Sequence, residues 1–207
     1  MKKIILPIAL LALVGFGIIT AGLTDKERKM AVAELNKTQD RFTSTLEGLS
    51  TKELNFKPTP ESWSIAECVE HLAISEGMIG GMLTGALKTP ADPSKRDSVL
   101  ISDEKLMGMI SSRDKKVKTG EAFVPSGKFG SHEETVKAFL TKRGEHIEYL
   151  KTTTDDLRNH YGKLPFGTID GLQILLFMSG HTERHVAQME EVMANENFPS
   201  ATMGIEE

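Results

Sequence analysis

The strongest constraint on the fold is an almost wholly apolar stretch from Leu172 to Met178. It lies inside a helical pattern that takes Thr168 as its N-cap and continues to about Ala194. A helix that is apolar on nearly every side must be covered by other elements on nearly every side. Because the pattern turns polar after Met178, it is too short to span a membrane. We therefore expect this helix at the centre of a helical bundle.

Three further long helices are predicted from local start signals. Each signal is a capping box, in which a Ser or Thr precedes a Glu by three residues at the start of an apolar periodic segment. The boxes are Thr24 to Glu27, Ser64 to Glu67 and Ser131 to Glu134. The stretch from Lys88 to Gly130 is rich in Pro, Gly, Ser and charge, with one short helical candidate at 103–112. A connection this long is typically a functional loop or lid.

No segment alternates like a strand over a useful length, so the sequence predicts an all-α fold. Four long helices with one long connection between the second and the third indicate an antiparallel four-helix bundle with a crossover. The N-terminus reads differently: Met1-Lys2-Lys3 precedes an apolar run from Ile4 to Ala21 that ends in small residues. We interpret 1–22 as a signal peptide and 23–207 as one domain. An uncleaved anchor is the alternative.

Composition narrows the classes of partner. The formal net charge is −4, and an acidic chain argues against nucleic acid as a partner. A cleaved signal predicts an extracytoplasmic protein, periplasmic or secreted, that does not associate with the membrane. The single cysteine, Cys68, excludes an intramolecular disulfide, and we interpret it as a small buried hydrophobe in a helical stripe.

Three histidines carry the predicted chemistry. His181 and His185 are spaced i, i+4 and continue the apolar face of the last helix, whereas His71 lies on the apolar face of the helix that starts at Ser64. Either they are hydrogen-bonded core histidines, or they supply three neutral imidazoles to one open metal site. An ion held in this way lowers the pKa of a bound water from about 15.7 toward about 7, which makes hydrolysis the simplest reaction. The same ion also suits a substrate thiol, and a non-catalytic metal site is the third reading.

Few polar groups are predicted near these histidines. Gln188, one turn beyond His185, and Glu70, next to His71, are the candidates for a catalytic or supporting role. Glu183 lies two residues from each late histidine and therefore points away from their face. The remaining histidines have no partner at ligand spacing and are left out of the site; they are His132, His146 and His160.

The motifs around these histidines resemble a known family. Trp63-Ser64-Ile65 with Glu67 and His71-Leu72, then Pro165-Phe166-Gly167, and finally the run from His181 to Gln188 look like the DinB/YfiT-like superfamily over essentially the whole chain after residue 22. The resemblance implies a four-helix bundle, often a homodimer, in which His71, His181 and His185 bind zinc or nickel. It also implies either a metal-dependent hydrolase or a transferase that uses low-molecular-weight thiols. Such thiols are mainly cytosolic, so the predicted export favours hydrolysis of a small-molecule substrate.

Overall fold

The computed structural model describes residues 22–199, and its main feature is a bundle of four long helices. Two short α-helices, three 3₁₀ helices and a two-stranded hairpin lie in the connections. The all-α four-helix bundle predicted from the sequence is confirmed. The helices are α1 (Asp25–Leu46), α2 (Thr51–Leu54), α3 (Ile65–Leu87), α4 (Asp103–Ser111), α5 (His132–Thr152) and α6 (Gly171–Met193), and the strands are β1 (Tyr161–Leu164) and β2 (Gly167–Asp170).

Capping boxes start all four long helices. The three that were predicted, at Thr24, Ser64 and Ser131, are present with both of their hydrogen bonds. The prediction for the last helix was wrong, because Asp170 and not Thr168 is its N-cap. The Asp170 carboxylate accepts the backbone N–H of Gln173, and the Gln173 side chain reaches back to the Asp170 backbone N–H. An aspartate with a glutamine three residues later satisfies the same orphan donors as the Ser–Glu pair.

The hairpin corrects the expectation that the chain has no strands. β1 pairs antiparallel with β2, with Tyr161 opposite Asp170 and Leu164 opposite Gly167. Each strand has only four residues, too few for alternation to be recognised in the sequence. Gly162 faces the bundle so closely that an added Cβ would lie 3.0 Å from the Met82 sulfur. The hairpin therefore closes one end of the bundle, at the start of α6.

Contacts at this end and along the bundle give the helix directions. Arg28, near the start of α1, donates to the carbonyl of Leu150 near the end of α5, so these two helices are antiparallel. The His160 ring bonds the Ala86 carbonyl at the end of α3, and the His160 carbonyl accepts from Gly171 at the start of α6. α3 and α6 are therefore antiparallel as well.

The crossover makes the third long helix run in the same direction as the second. Glu76 of α3 pairs with Arg143 of α5, and one turn later Gly80 lies against the ring of His146. Parallel neighbours in a bundle need a connection that returns along the helix length, which is the role of residues 88–131. α4, within this crossover, packs on α6 and covers the apolar face that the sequence required to be buried.

The N-terminal predictions concern residues outside the described range. Of the predicted signal segment, residues 1–22, only Gly22 lies within the described range. Cleavage of this segment and the extracytoplasmic location therefore stay predictions. Between residues 22 and 199, no helix is long and apolar enough to cross a membrane.

Candidate metal centre

The three predicted histidines meet where α3 and α6 lie side by side. His71 comes from the second turn of α3, and His181 and His185 come from adjacent turns of α6. One ring nitrogen of each lies within 4.8 Å of the others. This cluster places together residues more than 100 positions apart in sequence, because the antiparallel packing brings the start of α3 to the second half of α6.

The spacing of the ring nitrogens fits shared ligation. His71 Nε2 and His181 Nε2 are 3.1 Å apart. Two imidazole nitrogens on one tetrahedral zinc ion, each at about 2.0–2.1 Å, are separated by roughly 3.3 Å. A core pair of histidines requires one nitrogen to donate to the other, whereas a shared ion requires both lone pairs to point at a common centre. The spacing of this pair is close to that of two ligands of one ion.

Hydrogen bonds fix the ring tautomers needed for ligation. His71 Nδ1 lies 2.8 Å from the carbonyl oxygen of Phe123, which can only accept, so Nδ1 carries the proton. His185 Nδ1 lies 3.0 Å from Gln188 Oε1. Arg113 Nη1 also donates to this oxygen at 3.2 Å; since arginine cannot accept, the amide orientation is settled and His185 Nδ1 is a donor. Both rings therefore present an unprotonated Nε2 to the cluster.

Burial keeps the cluster neutral. It lowers the pKa of His71, and it lowers the pKa of His181 to about 3 with a further contribution from the neighbouring His71. Burial and repulsion from the other two rings also lower the pKa of His185. Neutral imidazole is the form that binds a metal ion. Cys68, in contrast, is buried with a thiol pKa raised to about 12, and it behaves as the small hydrophobe that was predicted.

Aromatic rings surround the histidines. Trp63 lies 4.9 Å from the His71 ring and 6.1 Å from the His185 ring, centroid to centroid. Phe177 stacks on His181 with an interplanar angle of 9°. The position of Trp63 over the cluster was not predicted from the sequence. These rings shield the ligand nitrogens from bulk water, which strengthens electrostatic interactions inside.

Comparisons with known proteins agree with this geometry. The model of the DinB superfamily matches residues 34–189, which include all three histidines. The chain belongs to the DinB superfamily. Its structure is similar to that of YfiT from Bacillus subtilis, with a TM-score of 0.57, 15% identity, and coverage of 83% of this chain and 89% of YfiT. That protein is described as a probable metal-dependent hydrolase with an unusual four-helix bundle topology. The uncharacterized protein YuaE of Bacillus subtilis (strain 168) is 26% identical over 148 residues, which cover 71% of this chain and 87% of YuaE.

Glu70, a candidate for a catalytic or supporting role, binds the crossover and not a ring of the histidine cluster. Its carboxylate accepts the backbone N–H groups of Ser126, Gly127 and Lys128 at 2.7–3.0 Å and does not serve as the acceptor for the His71 ring. Burial opposes ionisation, but these three hydrogen bonds outweigh it and lower the pKa of Glu70. Glu70 therefore holds the crossover segment that supplies the Phe123 carbonyl. A catalytic role for Glu70 or Gln188 stays a prediction.

The crossover also makes contacts with α6 that involve two arginines, Arg113 and Arg184, and that were not predicted from the sequence. Arg113 pairs with Glu191 at 2.6 Å and donates to Gln188. Arg184 Nη2 donates to the carbonyl of Lys115 at 2.7 Å. Burial and the nearby charge of Arg113 lower the pKa of Arg184. Contacts of this kind depend on how a long irregular segment folds back, and no local pattern reports them.

Glu183 and the histidines that were left out of the predicted site lie outside the three-histidine cluster. Glu183 pairs with Arg41 of α1, away from the cluster. His146 bonds Glu76, and His160 bonds a backbone carbonyl, so neither joins the three-histidine group. His132, whose ring is half-buried in the first turn of α5, also lies outside the cluster.

Proposed function

We propose that this DinB protein binds one divalent transition ion, zinc or nickel, through His71, His181 and His185, and hydrolyses a small-molecule substrate there. The observation that carries the proposal is the convergence of three imidazole nitrogens within 4.8 Å, two of them unprotonated because the opposite nitrogen donates to a fixed oxygen. The description of YfiT as a probable metal-dependent hydrolase supports the same reaction class. Fold likeness alone does not choose a reaction, so the site geometry is the main support.

A site with three protein ligands is more typical of a catalytic metal ion than of a structural one. Structural zinc sites are closed by four protein ligands, whereas catalytic sites keep one position for water or substrate. Among the described residues, no fourth His, Cys, Asp or Glu joins the cluster. When bound, a divalent ion would supply Lewis acidity and a coordinated water of lowered pKa. In hydrolysis the water oxygen bonds to the electrophilic carbon, the bond to the leaving group breaks, and the leaving group takes up a proton.

The chain's own residues hold and shield this centre. The Phe123 carbonyl and the Gln188 amide oxygen fix the orientation of two histidine rings, and Trp63 covers two of them. The nearby carboxylates are committed elsewhere: Glu70 binds backbone amides and Glu191 binds Arg113. The proposed chemistry therefore depends on the ion and its water, and not on a flanking carboxylate acting as general base.

Metal analysis of purified protein tests the site. After dialysis against a chelator and reloading with zinc or nickel, we expect about one ion per chain in the parent and none above background in His181→Ala. His132→Ala, which changes a histidine outside the cluster, is the matched control and should keep its ion. Equal ion content in the parent and His181→Ala would refute the ligand assignment.

A substrate panel tests the reaction on the same samples. Ester and amide hydrolysis by the parent should require the ion, rise with pH as the bound water ionises, and fall more than about 100-fold in His181→Ala. A thiol-transfer assay with an added low-molecular-weight thiol belongs in the panel. Turnover seen only with the thiol would replace hydrolysis by transfer, and metal binding without turnover on any substrate would favour a non-catalytic site.

A further inference from the structure

We propose that the substrate of the three-histidine site carries an anionic oxygen group, and that Arg184 binds this group beside the histidines. The inference rests on the proposed function for the location of the reacting centre, and it adds the chemical class of the substrate. Its support is the placement of Arg184, its lack of a carboxylate partner, and the charge of the surrounding rim.

Arg184 lies directly beside the ligands on α6. It follows His181 by three residues and precedes His185 by one, so it sits one turn along the helix on the flank of the histidine face. The residue is only 9% exposed. Its Nη2 donates to the Lys115 carbonyl in the crossover, and its charge is near enough to His181 to help lower the pKa of that ring.

Among the described residues, Arg184 makes no ion pair, and it is more buried than Arg28, whose guanidinium also donates only to carbonyls. Within residues 22–199, its one hydrogen bond goes to a neutral carbonyl, and no carboxylate lies in ion-pair distance. Its Nε and Nη1 have no protein partner, yet they are not among the polar atoms that are sealed from solvent. Arginines that do pair with carboxylates are Arg41, Arg96, Arg113, Arg143 and Arg158.

A partly buried guanidinium with free donors is a binding element for an oxyanion. Its planar N–H groups match the oxygens of a carboxylate or a phosphate, and charge-assisted bonds of this kind are about twice as strong as neutral ones. An anion at Arg184 would replace the missing partner and remove the cost of burying an isolated charge. It would also place the rest of a small substrate against the histidine nitrogens on the next turn.

Cationic groups outnumber anionic ones around Arg184. Arg113 lies close enough to repel it, and Glu191, which pairs with Arg113, attracts it. In residues 113–118 of the crossover, one exposed carboxylate, Asp114, stands against the exposed Lys115, Lys116 and Lys118. The whole chain, by contrast, has a net charge of −4. A cationic rim on an acidic protein concentrates small anions at this one location and steers them to it.

Binding measurements with simple probes test the inference without requiring turnover. Succinate and inorganic phosphate are titrated calorimetrically into the zinc-loaded and the metal-free protein, and succinamide is the neutral analogue of succinate. We expect the parent to bind both anions and to bind succinamide at least about tenfold more weakly. The affinity for the anions should also fall as salt is added.

Substitutions assign the binding to one residue. Arg184→Gln should weaken binding of succinate and phosphate by about tenfold or more, and Arg184→Lys, which keeps the charge but not the planar fork, should fall between. Arg41→Gln removes the same charge from α1, where Arg41 pairs with Glu183 and Glu190 of α6, and should bind like the parent. Zinc content of each variant is measured to show that the histidine site is intact.

Two results would overturn the inference: equal affinity of the parent for succinate and succinamide, or unchanged anion affinity in Arg184→Gln. The first comparison uses only the parent protein, so it decides the matter even when a variant folds poorly. A protein that binds anions through Arg184 but hydrolyses nothing would contradict the proposed function alone. One that hydrolyses neutral esters and ignores anions would contradict this inference alone.

Discussion

At the scale of single residues, a buried polar layer crosses the bundle next to the histidines. Arg143 is fully buried and donates to Glu76 on α3, to the Leu35 carbonyl and Thr38 hydroxyl on α1, and to the Thr182 hydroxyl on α6. One guanidinium on α5 therefore bonds the other three long helices. A buried charge left without its partners is costly, so this layer favours a single register of the helices around the site.

The Glu76 carboxylate makes folding stability depend on pH. Burial opposes its ionisation, but the charge of Arg143 and hydrogen bonds from His146 and Arg143 outweigh burial and lower the pKa of Glu76 from 4.5 to about 2. Because the folded-state pKa is depressed, its contribution to stability is present above about pH 4.5 and is lost as pH falls toward 2. The slope reaches about 1.4 kcal/mol per pH unit.

Urea unfolding between pH 3 and 6, followed by circular dichroism, checks this effect. Glu76→Gln should flatten the acid limb, and it should lower the free energy of unfolding near pH 6 by about 3–5 kcal/mol because Arg143 loses its partner. Glu148→Gln removes an exposed carboxylate and should keep the parent's slope. Parallel acid limbs for the parent and Glu76→Gln would show that Glu76 does not control this range.

At the scale of elements, the crossover is the segment that completes the metal centre. Glu70, in the second turn of α3, accepts hydrogen bonds from the backbone amides of residues 126–128. These bonds hold the crossover so that the carbonyl of Phe123, three residues before Ser126, contacts His71. The ligand ring is therefore oriented by a loop, and the loop is anchored by the residue next to the ligand. We assign Glu70 the role of a positioning residue.

Glu70→Gln tests this role, because a neutral amide holds the three backbone donors less strongly than a carboxylate. We expect zinc affinity to fall by up to about tenfold, toward the lower end of effects measured for groups that orient metal ligands. Hydrogen exchange at the amides of 126–128 should become faster. Zinc affinity and exchange rates equal to those of the parent would exclude the positioning role, and Glu148→Gln serves as the charge control.

Elements also differ in how far the sequence could predict them. The helix starts at Thr24, Ser64 and Ser131 were predictable because a capping box is local, and α4 was found close to its observed bounds from the helical spacing of its apolar residues. The hairpin before α6 was missed, since its stability comes from packing of Gly162 and Ile169 on the bundle. Because the hairpin was not predicted, the N-cap of α6 was assigned to Thr168 and not to Asp170.

In the candidate site, too, features set by local helical spacing were predicted and features set by tertiary packing were not. His71, His181 and His185 were identified because helical spacing and an apolar face determine where each ring points. The partners of those rings were only partly predictable. Gln188 is one turn from His185 and was found, whereas the Phe123 carbonyl, Trp63 and Arg113 reach the cluster through tertiary packing of loops.

At the scale of the whole molecule, the histidine cluster joins two helices that are far apart in sequence. An ion there would bind the folded bundle and not the unfolded chain, so it would stabilise the fold by mass action. At a free ion concentration of 100 times the dissociation constant, the gain is about 2.7 kcal/mol. For a domain of this size, each kcal/mol shifts the melting temperature by about 2–4 °C.

Calorimetric melting of the parent should therefore show a fall of roughly 5–10 °C when zinc is removed by a chelator. His181→Ala should melt at the same temperature with and without the chelator, because it no longer has the full ligand set. His132 lies outside the three-histidine cluster, so His132→Ala and the parent should respond alike. A chelator-dependent shift that persists in His181→Ala would mean that the stabilising ion binds somewhere other than the three-histidine cluster.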